Sequence, residues 1–204
     1  MFSSLLLTVD ELIKEHEVSL SRMRVLEPLV DFIQLRVSNN EKIDLVFICT
    51  HNSRRSHLAQ IWAQVAASYF KIPNVYCYSG GTVVTALHPM IAGVLIEQGF
   101  SVFNVSEGTN PINVVKYGEN DFPIIGFSKV YDNSFNPVNG FAAVMTCSQA
   151  DSGCPFILGA DMRIPITYED PKVSDGCANQ REVYFDRSLE IAREMFYVFS
   201  QIKK

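Results

Sequence analysis

The chain has 204 residues, of which 48% are apolar and 19% charged, so it can bury a core and is not disordered by composition. Seventeen Lys and Arg against 22 Asp and Glu leave a net charge of −5, the wrong sign for a general nucleic-acid binder. No apolar run approaches the ~20 residues of a membrane span, and the opening Met1–Leu7 has no basic start and is followed by Asp10 and Glu11, which makes a poor signal peptide. Five cysteines, an odd number in a chain too large to need disulfide staples, point to a cytoplasmic α/β protein whose thiols have another use.

The first forty residues read as helix. Thr8 and Glu11 have the spacing of a capping box, and Leu20, Met23, Leu26, Val30, Ile33 and Val37 form one apolar stripe. Pro28 inside that stripe predicts a kink or a break between two helices. The pattern then changes. Ile43–Cys49 is a short, β-branched apolar run of the buried-strand type. Residues 50–53 are turn-like, and 56–70 return to helical spacing. A second strand is expected over Val75–Ser79, ended by Gly80 and Gly81, and a helix over 88–98 with Gly99 as its C-terminal cap.

Residues 101–140 are less regular, with two short strands (114–117 and 124–131) around a turn at 118–121. Phe141–Cys147 is a further buried strand, Arg163–Thr167 a weaker one, and a helix runs from 179 to 202. Alternating strands and helices predict an α/β fold, a three-layer, doubly wound, mainly parallel sheet, with an N-terminal helical extension and an inserted β-hairpin.

Most of the chemistry sits after the first strand, in Cys49-Thr50-His51-Asn52-Ser53-Arg54-Arg55-Ser56. A cysteine closes a buried strand, and an arginine follows where a helix begins. Backbone N–H groups of Thr50, His51, Asn52, Ser53 and Arg54 can curl around a tetrahedral anion. The helix N-terminus adds positive potential, and the planar fork of Arg55 can hold two oxygens. The same field favours thiolate at Cys49, and Ser56 can donate its hydroxyl to that sulfur. The plainer alternative is a buried cysteine beside surface arginines.

This segment resembles the phosphate-binding loop of the low-molecular-weight protein tyrosine phosphatases and of the thioredoxin-coupled arsenate reductases that share their fold. It matches the pattern Cys-x-Gly-Asn-x-x-Arg-Ser at Cys49, Asn52, Arg55 and Ser56, and departs at His51, where the family has Gly, and at Arg54, where Cys is common. Ser79-Gly80-Gly81-Thr82 is similar to the Ser-Ala-Gly-Thr segment that ends the family's second strand. The resemblance covers residues 43–202. It implies an extension over 1–40, a phosphatase-like α/β domain over 41–204 and an insertion at about 109–140. It implies no cofactor.

Cys147 ends a strand and Cys154 follows seven residues later. Seven helical residues rise ~10.5 Å, whereas a disulfide needs Cα atoms ~4.4–6.8 Å apart. The two can therefore pair only if the segment unwinds, which Gly153 and Pro155 would ease. The arrangement resembles the redox helix of the thioredoxin-coupled arsenate reductases, which the plain phosphatases lack. Two buried structural cysteines, or half of a zinc site, are the alternatives; His16, His51, His57 and His88 lack zinc spacing, so no metal is expected. Cys77 reads as core and Cys177 as an exposed spare thiol or a rival resolving cysteine.

Tyr168-Glu169-Asp170-Pro171 resembles the family's Asp-Pro general-acid loop before the last helix, against the alternative of an ordinary Asp-Pro turn. Glu169 is the neighbouring candidate, and Asp175 and Asp186 read as surface acids. Lys116, Lys129 and Tyr131 of the inserted hairpin could overhang the site, and read more simply as an edge hairpin with solvated charges. Three functions follow. One is an arsenate reductase, with Cys49 as nucleophile, Asp170 assisting loss of hydroxide, a Cys147/Cys154 relay and a thioredoxin-like reductant. The second is a phosphatase acting on phosphotyrosine or another phosphomonoester through a Cys49 phosphocysteine. The third is a non-enzymatic oxyanion or redox sensor. The expected partners are an arsenate- or phosphate-like oxyanion and that reductant, with no nucleic acid and no membrane. The N-terminal helices pack on their own domain or serve a partner or dimer.

Overall fold

A computed structural model describes residues 1–15, 18–154 and 156–204; His16 and Pro155, both invoked above, lie outside the described residues. Helices α1 (Ser3–Glu15) and α2 (Leu20–Ser38) precede strand β1 (Ile43–Cys49), helix α3 (Arg55–Tyr69), strand β2 (Val75–Gly81) and helix α4 (Pro89–Glu97). Strands β3 (Ser101–Asn104), β4 (Asn113–Lys116) and β5 (Ile124–Gly126) follow, then β6 (Phe141–Met145), α5 (Ser148–Gly153), β7 (Ala160–Pro165), a 3-10 turn at Pro171–Ser174 and α6 (Gln180–Ser200).

The main sheet runs β2-β1-β6-β7, all parallel. The chain leaves β1 to one side for β2 and returns to the other side for β6, so the C-terminal end of β1 is the topological switch point, the place where open α/β sheets bind ligands. Every residue of β1 is buried, and successive side chains alternate between faces. Ile43, Leu45 and Phe47 join a large apolar cluster with α3, α4 and α6. Val46, Ile48 and Cys49 join a smaller cluster with Phe141, Met145, Cys147 and Ala150 on the other face, where α5 lies. The helices thus flank both faces, unequally. Leu5, Val9 and Leu12 of α1 and Leu26, Leu29 and Ile33 of α2 belong to the large cluster, so both helices pack on their own chain.

Several local expectations need correction. Helix α1 begins at Ser3, and Thr8 lies inside it, its hydroxyl donating to Gln98 O at 3.1 Å rather than capping. The break between the first two helices precedes Leu20, where Ser19 accepts from Arg22 N–H. Pro28 sits inside the uninterrupted α2, whose buried Leu26, Leu29, Phe32 and Ile33 offset the one lost helical bond. The expected hairpin is instead an antiparallel sheet β3-β4-β5. Its third strand stops at Gly126, and residues 127–131 run past the end of β2, where Gly81 bridges Val130. Lys129 is 1% exposed, not solvated: its ammonium lies over the rings of Phe127 and Phe135, 4.5 and 5.3 Å from their centroids. Among the described residues no helix is long and apolar enough to cross a membrane.

Candidate active site

Cys49 is the last residue of β1 and is 3% exposed. Its Sγ lies 3.1 Å from Ser56 Oγ, in the first turn of α3. The loop between them owes its shape to bonds on its carbonyl oxygens. Thr82 N–H donates to Cys49 O and Thr50 O, and Val83 N–H to Thr50 O. Thr85 Oγ1 and Ser128 Oγ both donate to His51 O at 2.9 Å, and His88 N–H donates to Ser53 O. With the carbonyls held outward, the N–H groups of residues 51–54 donate to no group of the chain among the described residues. Consecutive unpartnered N–H groups at a helix start form an anion-binding concavity.

Asn52 completes the turn in the left-handed region, at φ 43°, which asparagine tolerates better than most side chains. Its Oδ1 accepts from Lys129 N–H at 2.9 Å, which fixes the amide's orientation. Its Nδ2 then donates to Ser56 Oγ at 2.9 Å. Because that bond occupies a Ser56 lone pair, the Ser56 hydrogen is free to point at Cys49 Sγ. Close packing explains the two glycines that end β2. A Cβ at Gly81 would stand 2.8 Å from Asn52 N and Thr50 O, and one at Gly80 would stand 2.4 Å from Tyr131 Cα.

Arg55 is 7% exposed. One terminal nitrogen donates to Tyr168 O at 2.9 Å and the other to Asp170 Oδ2 at 2.6 Å, while Nε is buried without a partner. Asp170 Oδ1 accepts from Lys172 N–H at 3.1 Å, capping the 3-10 turn. Cys49, His51, Ser53, Arg54, Arg55 and Asp170 line one small polar cavity. Arg54 is engaged by two partners: Nε donates to Tyr184 Oη at 2.6 Å and a terminal nitrogen pairs with Asp175 at 2.8 Å. Asp175 is therefore not a free surface acid. Partial burial pushes its carboxyl up, but the Tyr184 hydroxyl and the Arg54 charge outweigh this and hold it low. The triad ties the acid loop to α6. Glu169 does not line the cavity.

Two more thiols come near. Cys147 is fully buried in the cluster that contains Cys49, and its Sγ lies 3.5 Å from Thr50 Oγ1. It also caps α5, accepting from Ala150 N–H at 3.3 Å. Helix α5 is six residues long, and half-buried Cys154 follows it. Arg163 holds that end, donating to Cys154 O and to Asp151. All five cysteines are free thiols. Cys77 is core, and its burial pushes the thiol far up; Cys177 is exposed. His57, in the first turn of α3, is buried, bonds Ser79 Oγ through Nδ1 at 3.2 Å and is pushed down to about 3, by burial first and by the Lys129 charge second.

Ser128, Thr85, Tyr184 and Asn110 escaped sequence reasoning. Asn110 exchanges two bonds with the Ser128 backbone, so the stretch read as an insertion buttresses the anion loop. Nothing local in the sequence signals this; the long-range register of residues 127–131 against Gly81 creates it.

No protein-family model and no curated protein matches the chain. Among solved structures, a YwlE mutant from Bacillus subtilis aligns with 80% of this chain and 100% of its own, at 15% identity and a TM-score of 0.51. A YwlE arginine phosphatase with a phosphorylated active-site serine aligns over 79% and 97%, at 15% identity and TM-score 0.49. A low-molecular-weight phosphotyrosine phosphatase from Vibrio cholerae aligns over 78% and 94%, at 13% identity and TM-score 0.49. The α/β fold is thus shared with the first of these structures over that structure's whole length.

Proposed function

We propose that the protein is a cysteine-dependent oxyanion enzyme that reduces arsenate to arsenite. The observation that carries the reading is the placement of Cys147, buried against Thr50 of the anion loop at 3.5 Å, with Cys154 at the far end of a six-residue helix. Arsenate sits in the cradle of N–H groups and displaces the Asp170 carboxylate from Arg55. The Cys49 thiolate attacks arsenic and expels one oxygen, whose proton comes from a cavity acid, Asp170 on the sequence reading. Cys147 thiolate then attacks the Cys49 sulfur. The electron pair of the S–As bond passes to arsenic, arsenite leaves, and a Cys49–Cys147 disulfide forms. Cys154 thiolate attacks Cys147, restoring Cys49 and leaving Cys147–Cys154, which an external dithiol protein of the thioredoxin type reduces. The last exchange requires α5 to unwind. Its interior buries only Ala150, and a helix of this length is marginal by itself.

A second reading is hydrolysis of a phosphomonoester. It is favoured by the fact that Cys49, Arg55 and Asp170 line one cavity without help from Cys147, and by the shared fold. One experiment separates them. Purified protein is assayed for arsenate-dependent NADPH oxidation with thioredoxin and its reductase, and for 4-nitrophenyl phosphate hydrolysis. Under the reductase reading, Cys147→Ser and Cys154→Ser abolish the first activity and spare the second. Full reductase activity in both variants overturns the relay.

A further inference from the structure

We propose that Arg22, in the first turn of α2, is a positioning residue for the anion site: it holds the segment whose carbonyl oxygen aims Arg55, so the N-terminal helices contribute to oxyanion binding as well as to the core. This rests on the reading of residues 49–56 as an oxyanion cradle. No residue of α1 or α2 lines the cavity, so their influence runs through contacts.

Arg22 meets three groups at once. Nε and Nη2 donate to the two carboxylate oxygens of buried Glu194 on α6, at 2.6 and 2.7 Å. This side-on pairing fixes the plane of the guanidinium. Nη1 is left to reach Thr167 O at 3.4 Å, and the guanidinium carbon stands 5.2 Å from the centroid of the Tyr168 ring, within range of a cation–π contact. Both contacts fall on one short stretch between β7 and the 3-10 turn. The Thr167 carbonyl and the Tyr168 N–H belong to one peptide group, and that N–H donates to Thr146 O, just after β6, at 3.2 Å. The peptide is therefore held at both ends, by α2 on one side and by the main sheet on the other.

The next carbonyl along the chain, Tyr168 O, accepts from Arg55 Nη1 at 2.9 Å. The planar guanidinium then decides what remains. Nε, buried without a partner, and Nη2, lent to Asp170 at 2.6 Å, share the edge away from Tyr168 O. That edge is the fork that suits two oxygens of a tetrahedral anion. Releasing the 167–168 peptide lets Tyr168 O tilt and the Arg55 fork turn with it. An ion pair serving stability alone needs only the Glu194 carboxylate; the third nitrogen on Thr167 O and the ring of Tyr168 link this one to the site.

The readout is the affinity of the full chain for inorganic phosphate by isothermal titration calorimetry, which needs no turnover. Arg22→Met alone strands the Glu194 carboxylate and destabilises the fold, so two other variants are used. Arg22→Lys keeps a charge for Glu194, but its compact ammonium does not span Glu194 and Thr167 O. Arg22→Met combined with Glu194→Gln removes the pair without stranding a charge. Each should raise the phosphate Kd about 3- to 10-fold, the range of one net hydrogen bond. In an Arg55→Lys background, where no fork remains to be aimed, the same changes should shift Kd by less than about twofold, whereas a purely structural role weakens binding equally in both backgrounds. Parent-like affinity in the variants overturns the proposal, as does an undiminished loss in the Arg55→Lys background. If the paired variant does not fold, Arg22→Lys decides alone. A parent chain that binds no phosphate, or an Arg55→Lys chain that binds it as well as the parent, fails the reading of the cradle instead.

Discussion

Ser56 Oγ lies 3.1 Å from Cys49 Sγ and accepts from Asn52 Nδ2 at 2.9 Å, which leaves its own hydrogen available to a Cys49 thiolate. Three residues of one segment thus form a hydrogen-bond chain that ends on the Cys49 sulfur.

Replacing Ser56 with Ala removes that donor. Hydrogen bonds to charged groups contribute about 1.5–3 kcal/mol, so kcat/KM for 4-nitrophenyl phosphate should fall roughly 10- to 100-fold, and the denaturant midpoint should fall as well, because the buried Asn52 Nδ2 loses its acceptor. A Ser56→Ala protein of undiminished turnover would show that the thiolate does not rely on this hydroxyl.

Ser128 tests the buttress. Its hydroxyl donates to His51 O and accepts from Thr85 N–H at 2.8 Å. Ser128→Ala leaves Thr85 N–H without its acceptor and His51 O with one donor of two, a cost of about 1–3 kcal/mol readable as a lower denaturant midpoint. It should also weaken inhibition by inorganic phosphate, because the carbonyl that aims the neighbouring N–H groups is half released.

How much of this could be read from the chain alone follows sequence separation. Strand β1, its loop and α3 are contiguous, so Cys49, Asn52, Arg55 and Ser56 declare themselves by spacing. The placement of Cys147 beside that loop was foreseen only by resemblance, since its contact with Thr50 spans 97 residues. The sheet β3-β4-β5 was half seen, because β3 exposes most of its residues and lacks the apolar signature of a buried strand. Lys129 was misread because lysine is almost never buried without a partner, and the Phe127 and Phe135 faces that receive it come from tertiary packing.

Lys129 also makes stability depend on alkaline pH. Burial pushes its ammonium down to about 8 from an ordinary 10.5. Between these values the unfolded chain holds more protons than the folded one, so stability rises with pH across the window. The penalty is complete below about pH 8 and is relieved toward 10.5, and it amounts to about 3 kcal/mol. Lys129→Met should be more stable than the parent at pH 7, and the gap should narrow by pH 10 in urea unfolding. A gap independent of pH would refute the account.

His57 acts on the acid side. Burial pushes it down to about 3 from 6.5, so the unfolded chain takes up a proton below 6.5 that the folded chain refuses. Stability is fully present above about pH 6.5 and is lost progressively as pH falls toward 3. His57→Gln should therefore lose less stability than the parent between pH 7 and 4.5. Urea midpoints that fall equally in both proteins would assign the acid sensitivity to other groups.

The carbonyl oxygens of Cys49, Thr50, His51 and Ser53, each claimed by a donor outside the loop, carry a last consequence. An anion arriving at Cys49 does not have to organise its own receptor, because Thr82, Val83, Thr85, His88 and Ser128 have already turned the peptide dipoles toward the empty centre. The entropy of ordering that segment was met during folding, so it is absent from the binding step. On the proposed reading, inorganic anions with few atoms to offer bind as well as larger esters, and the reach of the site is set by what fits over the cradle rather than by what can close it.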